Sequence, residues 1–386
     1  MRAGRLSIAY VHYGGQSGVT SAIARALLDR GHEVRLVAAT GVLQLRDPVT
    51  LRPRPTAKLA VGIAFAAARF GRRALEYRWN TGWAFDVHSA VADEALRALR
   101  PAPDLVLQNG ALFSPGLPPP YPYALLCDHT RALAQRTRGW PHLGFPAPMD
   151  YGPGWFARER SLYRGATVIG CFSENVARSM IGDYGVDPER VEVVGAGANV
   201  FPEQAPRCDD GRTIAFVGKE FARKGGHVLL DAFARVRGSI AKARLLVAGP
   251  PLPRAAPPGV AYLGFVSLDE LPALLSQASV FALPTLAEPF GIAYLDAMAC
   301  GVPCVGTRIE AVPEIVREGV TGLLVPPGDP GALAQALERL LRDPAGARAM
   351  GARGRAWVSA GALWSHVGAR LERLLERGRA PRGRAA

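Results

Sequence analysis

Two carboxylates eight residues apart, Glu288 and Asp296, enclose the run Pro289-Phe290-Gly291-Ile292. The run leaves the loop of one expected strand and opens a helix expected over 293–299, so Phe290, Gly291 and Ile292 stand where helix N-terminal amides point at a ligand. Phosphate or sugar oxygens suit such amides, and ionised carboxylates accept hydroxyls in pairs. If the helix starts near Gly291, both carboxylates can face one ligand. The plainer alternative is a helix-start charge at Glu288 and a surface residue at Asp296.

A second set lies upstream. The run Gly218-Lys219-Glu220-Phe221-Ala222-Arg223-Lys224-Gly225-Gly226 falls between an expected strand and helix, which puts three cations at a strand-end crevice. Fixed cations there suit a diphosphate and stabilise charge growing on a departing phosphate, lysines doing so without a metal. A solvated basic loop is the competing reading. Near the start, Gly14-Gly15-Gln16-Ser17-Gly18 permits close backbone approach, and the helix after it offers amides to an anion, unless the glycines only make a tight turn. That run is not Gly-x-Gly-x-x-Gly, and the next strand ends Val37-Ala38-Ala39-Thr40 without an acid to hold a dinucleotide ribose. A dehydrogenase is disfavoured accordingly.

His129, in Cys127-Asp128-His129-Thr130, follows a strand and falls at the C-terminal edge of the first expected sheet. It could donate a hydrogen bond to a sugar or acceptor, or serve as a structural polar group. There is no Asp-x-Asp and no His/Cys cluster at ligand spacing, so neither a catalytic metal nor a resident cofactor is expected.

These residues need strand ends to hold them. Residues 6–10 read as strand, 20–30 as helix and 32–38 as strand, because Ile23, Ala26 and Leu27 keep a helical period while Val34 and Leu36 alternate, with Gly31 at the stop. Such a βαβ unit implies a right-handed parallel crossover. Buried strands follow at 105–107, 124–126 and 167–171, then a helix capped by Ser173. Prolines at Pro53, Pro55 and 118–120 loosen the boundaries between 41 and 165.

Beyond the polar segment 203–212 the pattern restarts, with strands at 213–217, 243–248 and 280–283 and helices at 225–237, 271–277 and 332–341. Ser267 with Glu270 reads as a capping box and Asp329-Pro330 as a cap with a first-turn proline. The fold class is α/β: one Rossmann-like domain over 1–195, a second over 196–360, and a helix about 361–378 that can pack back on the first. A ligand belongs in the crevice at the strand C-termini.

Bulk properties agree with two soluble domains. The 386 residues exceed what one core usually fills, and 49% apolar with 20% charged is ordinary for a globular chain. Net charge is +13, which admits a polyanionic partner, although Arg370, Arg373, Arg377, Arg379, Arg382 and Arg384 gather in the tail and fit a solvated helix face. Five scattered cysteines without a Cys-x-x-Cys pair suit a reducing cytoplasm. Residues 1–10 read as a first strand and not as a signal peptide. The longest apolar stretch, 59–68, is too short to span a bilayer; flanked by Lys58, Arg69, Arg72 and Arg73, it is either an amphipathic helix on a membrane surface or one buried against the protein.

With the glycine turn, the Lys219/Lys224 loop and the Glu288 segment in this order, the chain resembles the family-4 retaining glycosyltransferases of GT-B fold, in which two Rossmann-like domains with parallel sheets face each other across a central cleft. The likeness is strongest over 214–341, including Leu246-Val247-Ala248-Gly249-Pro250, Pro313-Glu314-Ile315-Val316 and Thr321-Gly322-Leu323-Leu324-Val325-Pro326-Pro327, and weakest between 41 and 120. The resemblance implies a nucleotide diphosphate sugar as donor, with Lys219 and Lys224 on the diphosphate, Glu288 on the sugar hydroxyls and the amides of Phe290, Gly291 and Ile292 on sugar and phosphate. Asp296 would hold the ribose, His129 would sit near the reacting centre, and Gly14 and Gly15 would line the opposite wall. Transfer would proceed with retention, by front-face attack in which the leaving phosphate helps deprotonate the acceptor.

The acceptor would be a glycan, a lipid-linked molecule or a small molecule, and the enzyme a cytoplasmic hexosyltransferase with peripheral contact to an anionic inner membrane face. Three positions depart from the family: Asp296 stands for its usual Glu, Lys219 for its usual Arg, and Glu310-Ala311 for its frequent paired glycines. A sugar-nucleotide epimerase of the same fold and a non-enzymatic basic membrane-associated module are the alternatives. No motif that reads nucleic acid is present, so no nucleic-acid partner is expected.

Overall fold

The computed structural model describes residues 4–14, 18–39, 41–45, 56–201, 207–249 and 255–379. Gly15, Pro53, Pro55, residues 203–206 of the polar segment 203–212, Pro250, Arg382 and Arg384 lie outside them. Two units emerge, one comprising Met1–Arg136, Met149–Gly195 and Gly368–Ala386, the other Thr137–Pro148 and Ala196–Val367.

The first unit is built on β1 (Ser7–His12), β2 (Glu33–Ala38), β3 (Leu105–Asn109), β4 (Tyr123–Cys127), β5 (Val168–Cys171) and β6 (Val191–Val193). They pair in the order β2-β1-β3-β4-β5-β6, every pair parallel. Strands β3, β4 and β5 are buried at every position, as expected of parallel strands covered by helices on both faces. The helix Val19–Leu28 buries Val19, Ile23, Ala26 and Leu27. Ser173 caps the helix Glu174–Gly182, its hydroxyl accepting the Val176 amide at 3.2 Å.

Between β2 and β3 the chain forms the helices Ala57–Phe70 and Gly82–Ala98. Thr56 and Thr81 start them by accepting the amides of Leu59 at 3.0 Å and Ala84 at 3.1 Å. The helix Trp364–Gly378 enters the first unit from Gly368 onward, where Leu371, Leu374 and Leu375 are fully buried. Its Glu372 accepts from Arg30 Nε at 2.6 Å and lies 3.1 Å from His32 Nε2. Arg370 donates to the Val194 carbonyl at 2.7 Å and Arg377 pairs with Glu192, so these tail arginines hold structure as well as facing solvent.

The second unit carries β7 (Thr213–Val217), β8 (Arg244–Ala248), β9 (Val260–Gly264), β10 (Val280–Ala282), β11 (Cys304–Thr307) and β12 (Gly322–Val325). Their order is β12-β11-β10-β7-β8-β9, again all parallel. Strand order therefore reverses between β7 and β10, the topological switch point of a doubly wound sheet. Ser267 and Glu270 form the reciprocal box, with contacts of 2.9 Å and 3.3 Å, and Asp329 accepts the Ala332 amide at 2.9 Å.

One segment sits elsewhere than its place in the chain suggests. The sequence assigns all of 1–195 to the first domain, yet Thr137–Pro148 groups with the second unit. Trp140 bridges back to Phe145 and packs so closely on Gly328 that a Cβ there would come within 2.4 Å of the indole. Contacts nearly two hundred residues apart in sequence make this assignment, and local pattern carries no trace of them.

Candidate active site

At the switch point of the second sheet, the loop after β7 holds Lys219, Arg223 and Lys224, and the loop after β10 leads to Glu288. Pairing of Val280 with Ile214 and Phe281 with Ala215 sets the two loops side by side at the strand C-termini. The β7 loop turns at Gly225, whose φ of 74° and whose Cβ position, 1.8 Å from the Pro284 carbonyl oxygen, admit only glycine. Cross-ties fix the β10 loop: Leu286 donates to the Arg223 carbonyl at 2.8 Å, and the Thr285 hydroxyl to Ala287 O at 2.8 Å. Thr307 donates to Thr285 O at 2.8 Å.

Lys224 forms an ion pair with Glu288, their side chains 14% and 5% exposed. Burial draws the Lys224 pKa down while Glu288 opposes the shift. Arg223 donates to both oxygens of Glu220 at 2.7 and 2.9 Å and to the Ala287 carbonyl at 2.8 Å. Burial works against its charge, but Glu220, Glu288 and Glu310 together leave its pKa raised. The solvated-loop reading thus fails for Lys224. Lys219 is exposed, its ammonium 5.2 Å from the centroid of the Phe265 ring.

Gly291 caps the helix Ile292–Ala299 with φ 109°, and a Cβ there would come within 2.7 Å of Tyr294. Phe290 is buried and Ile292 half-buried beside it. Asp296 is 4% exposed, so it is no surface residue. One of its oxygens accepts the amides of Asn199 at 2.6 Å and Val200 at 3.2 Å, and burial lifts its pKa from 3.8 to about 7. Its observed partners are thus the amides of the segment that opens the second unit. Asn199 in turn accepts the Trp364 indole N–H at 3.1 Å.

Two residues outside the expected set join this site. The Glu310 carboxylate accepts the Glu288 backbone N–H and the Thr137 hydroxyl, the latter at 2.9 Å. The only sequence signal for Glu310 is its departure from the family's glycines, and for Thr137 there is none.

In the first unit, Gly14 follows β1 with φ 137°, and among the described residues other than its chain neighbours no atom lies within 4 Å of its Cβ position. Thr20 ties the turn by donating to the Gly14 carbonyl at 2.6 Å. His129 follows β4, half-buried. Two residues on, Arg131 donates to Asn80 at 3.0 Å and Tyr151 at 3.2 Å, its guanidinium 4.8 Å from the centroid of the Tyr151 ring. Arg131 is a cation fixed by these partners that the sequence reading passed over.

Two family models match the chain: "Glycosyltransferase Family 4" over residues 13–200 and "Glycosyl transferases group 1" over residues 211–343. The chain belongs to glycosyltransferase family 4. Within that family it is similar to the D-inositol 3-phosphate glycosyltransferases of Mycobacterium bovis and Mycobacterium tuberculosis, 33% identical over 201 residues. The match covers 46% of this chain and 41% of each relative, well under half the relatives' length. Among solved structures, sucrose-phosphate synthase from Thermosynechococcus elongatus superposes with a TM-score of 0.73 at 19% identity, covering 97% of this chain and 99% of that one. HepE from Anabaena, in complex with UDP and glucose, gives 0.65 at 15% identity over 96% and 99%. WaaG, a glycosyltransferase involved in lipopolysaccharide biosynthesis, gives 0.67 at 17% over 95% and 98%. The family-4 chain shares their GT-B fold, each of its units a Rossmann-like α/β layer.

Proposed function

We propose that the protein is a retaining glycosyltransferase that moves a hexosyl group from a nucleoside diphosphate sugar to a glycan, lipid-linked or small-molecule acceptor. The observation that supports this most is the gathering of Lys224, Arg223, Glu288 and the Gly291-capped helix at one switch point. Cations there suit a diphosphate, amides suit its oxygens, and a carboxylate suits sugar hydroxyls. Lys219 and Lys224 hold the diphosphate; Glu288 and the amides of Phe290, Gly291 and Ile292 hold the sugar. Lys224 then shares its charge between Glu288 and phosphate, and no metal is needed for the leaving group. Asp296 meets the ribose through the oxygen that the backbone does not use, while His129, Gly14 and Gly15 serve the sugar and the reacting centre.

In the transfer step the acceptor oxygen bonds to the anomeric carbon as the bond to the diphosphate breaks, and the acceptor proton passes to the leaving phosphate oxygen. UDP is a reasonable first donor base, since HepE was solved with it. The cytoplasmic inner face of a membrane suits the helix Ala57–Phe70, which exposes Val61 and Phe65 beside exposed Lys58 and Arg72.

Incubation with a panel of UDP, GDP, ADP and TDP sugars and candidate acceptors tests the reading, with nucleoside diphosphate release followed and the product anomer assigned by NMR. Release coupled to a product of unchanged anomeric configuration is expected. An inverted product contradicts retention, and conversion of the donor to an epimer without any acceptor replaces transfer with epimerisation.

A further inference from the structure

Among the described residues Glu310 is the one non-glycine residue with a left-handed backbone, at φ 47°. An L side chain pays for that conformation, and such strain persists where surrounding structure over-determines it. Glycine would sit there without strain, and it also lacks the carboxylate. That carboxylate joins three separate stretches of chain: its own turn after β11, the Glu288 peptide after β10 and Thr137 in the Thr137–Pro148 segment. Pairing of β10 with β11 brings the first two together. Glu288 is 3% exposed, so without Glu310 its N–H would lose its partner in a buried place.

Resting on the donor reading above, we infer that Glu310 is a positioning residue for the transferred sugar. It orients the Glu288 peptide, and hence the carboxylate that meets the sugar hydroxyls, and it couples that carboxylate to the Thr137–Pro148 segment. The same segment approaches the cation loop, a Cβ at Gly144 lying 3.4 Å from the Ala222 Cβ, and packs Trp140 on Gly328. Sugar geometry in this chain therefore depends on a stretch that a glycine at position 310 would leave untied.

The test compares Glu310→Gly, Glu310→Gln and Thr137→Val in the full chain. Each variant is assayed for melting temperature, for affinity of the free nucleoside diphosphate among UDP, GDP, ADP and TDP that binds the wild type best, and for kcat with the matching sugar donor. Glu310→Gly relieves the backbone while removing the hydrogen bonds, so it should melt close to the wild type and keep its nucleoside diphosphate affinity, yet lose on the order of tenfold in kcat. Glu310→Gln should recover most of that loss, because its amide oxygen still accepts from Glu288 N–H and its NH2 can donate to the Thr137 hydroxyl. Thr137→Val should fall between.

Wild-type kcat in Glu310→Gly overturns the inference and leaves the donor reading intact. A parallel fall in melting temperature, nucleoside diphosphate affinity and kcat overturns it in favour of a purely structural role. If the wild type binds none of the four nucleotides or their sugars, the donor reading falls and this inference with it.

Discussion

Lys224 and Glu288 bury opposite charges against each other, so removing one strands the other in a poorly solvated place. Glu288→Ala is expected to cost about 3 kcal/mol of stability in a urea titration. It should also lower transfer on the order of 100-fold, since the loss falls on contacts to the reacting sugar. Unchanged transfer would remove Glu288 from the site. Asp296 carries a pH signature: its pKa rises from 3.8 to about 7 on folding, so the native state binds the extra proton and stability falls as pH climbs from about 4 through 7. Asp296→Asn retains an oxygen for the Asn199 and Val200 amides and cannot ionise. Its melting temperature relative to wild type should therefore increase between pH 5 and pH 7 and level off above pH 7 in a buffer series. A pH-independent difference would mean that Asp296 is ionised throughout. Glu288 and Lys224 were legible in sequence because residue type and strand-end placement mark them. The amide partners of Asp296, about a hundred residues upstream, were not.

Strands such as β3, β4 and β7 announce themselves as short apolar runs between turn residues, and the caps at Ser173, Ser267 and Asp329 were readable because capping is local. The helix Gly82–Ala98 escaped notice because its buried stripe contains His88 and Ser89 among Ala84, Phe85, Ala92 and Leu96, which blurs the apolar period. Strand β6 is three residues long and only half-buried, too little for a pattern. The helix Ala57–Phe70 packs Leu59, Gly62, Ala66 and Phe70 inward, while Val61 and Phe65 are 43% and 49% exposed. Lys58, Arg69 and Arg72 are the exposed cations of this stretch, Arg69 paired with Asp150, while half-buried Arg73 pairs with Glu76. Co-sedimentation with anionic vesicles that weakens with salt and with Phe65→Ser is the expected result. Equal binding to neutral vesicles would remove the electrostatic contribution.

At the scale of the molecule, each unit is a six-stranded parallel sheet, and the chain reaches both units more than once. A hydrophobic pattern gives the two βα series but not the exchange of Thr137–Pro148, which is decided by Trp140, Thr137 and Gly144 against distant loops. The C-terminal helix lends Leu371, Leu374 and Leu375 to the first core, with Leu374 against Gly170. Leu374→Ala is expected to lower stability by about 3 kcal/mol in chemical denaturation, as a buried leucine cavity does. No loss would mean that the helix does not hold the first unit. Among the described residues no helix is long and apolar enough to cross a membrane.

The central claim is that the second unit's switch point binds a nucleotide sugar. Amide hydrogen exchange with and without the best-binding nucleotide among UDP, GDP, ADP and TDP tests it most directly. Slowed exchange concentrated in residues 218–226 and 288–296 is the predicted result. Binding of none of the four, or protection confined to other loops, would contradict it.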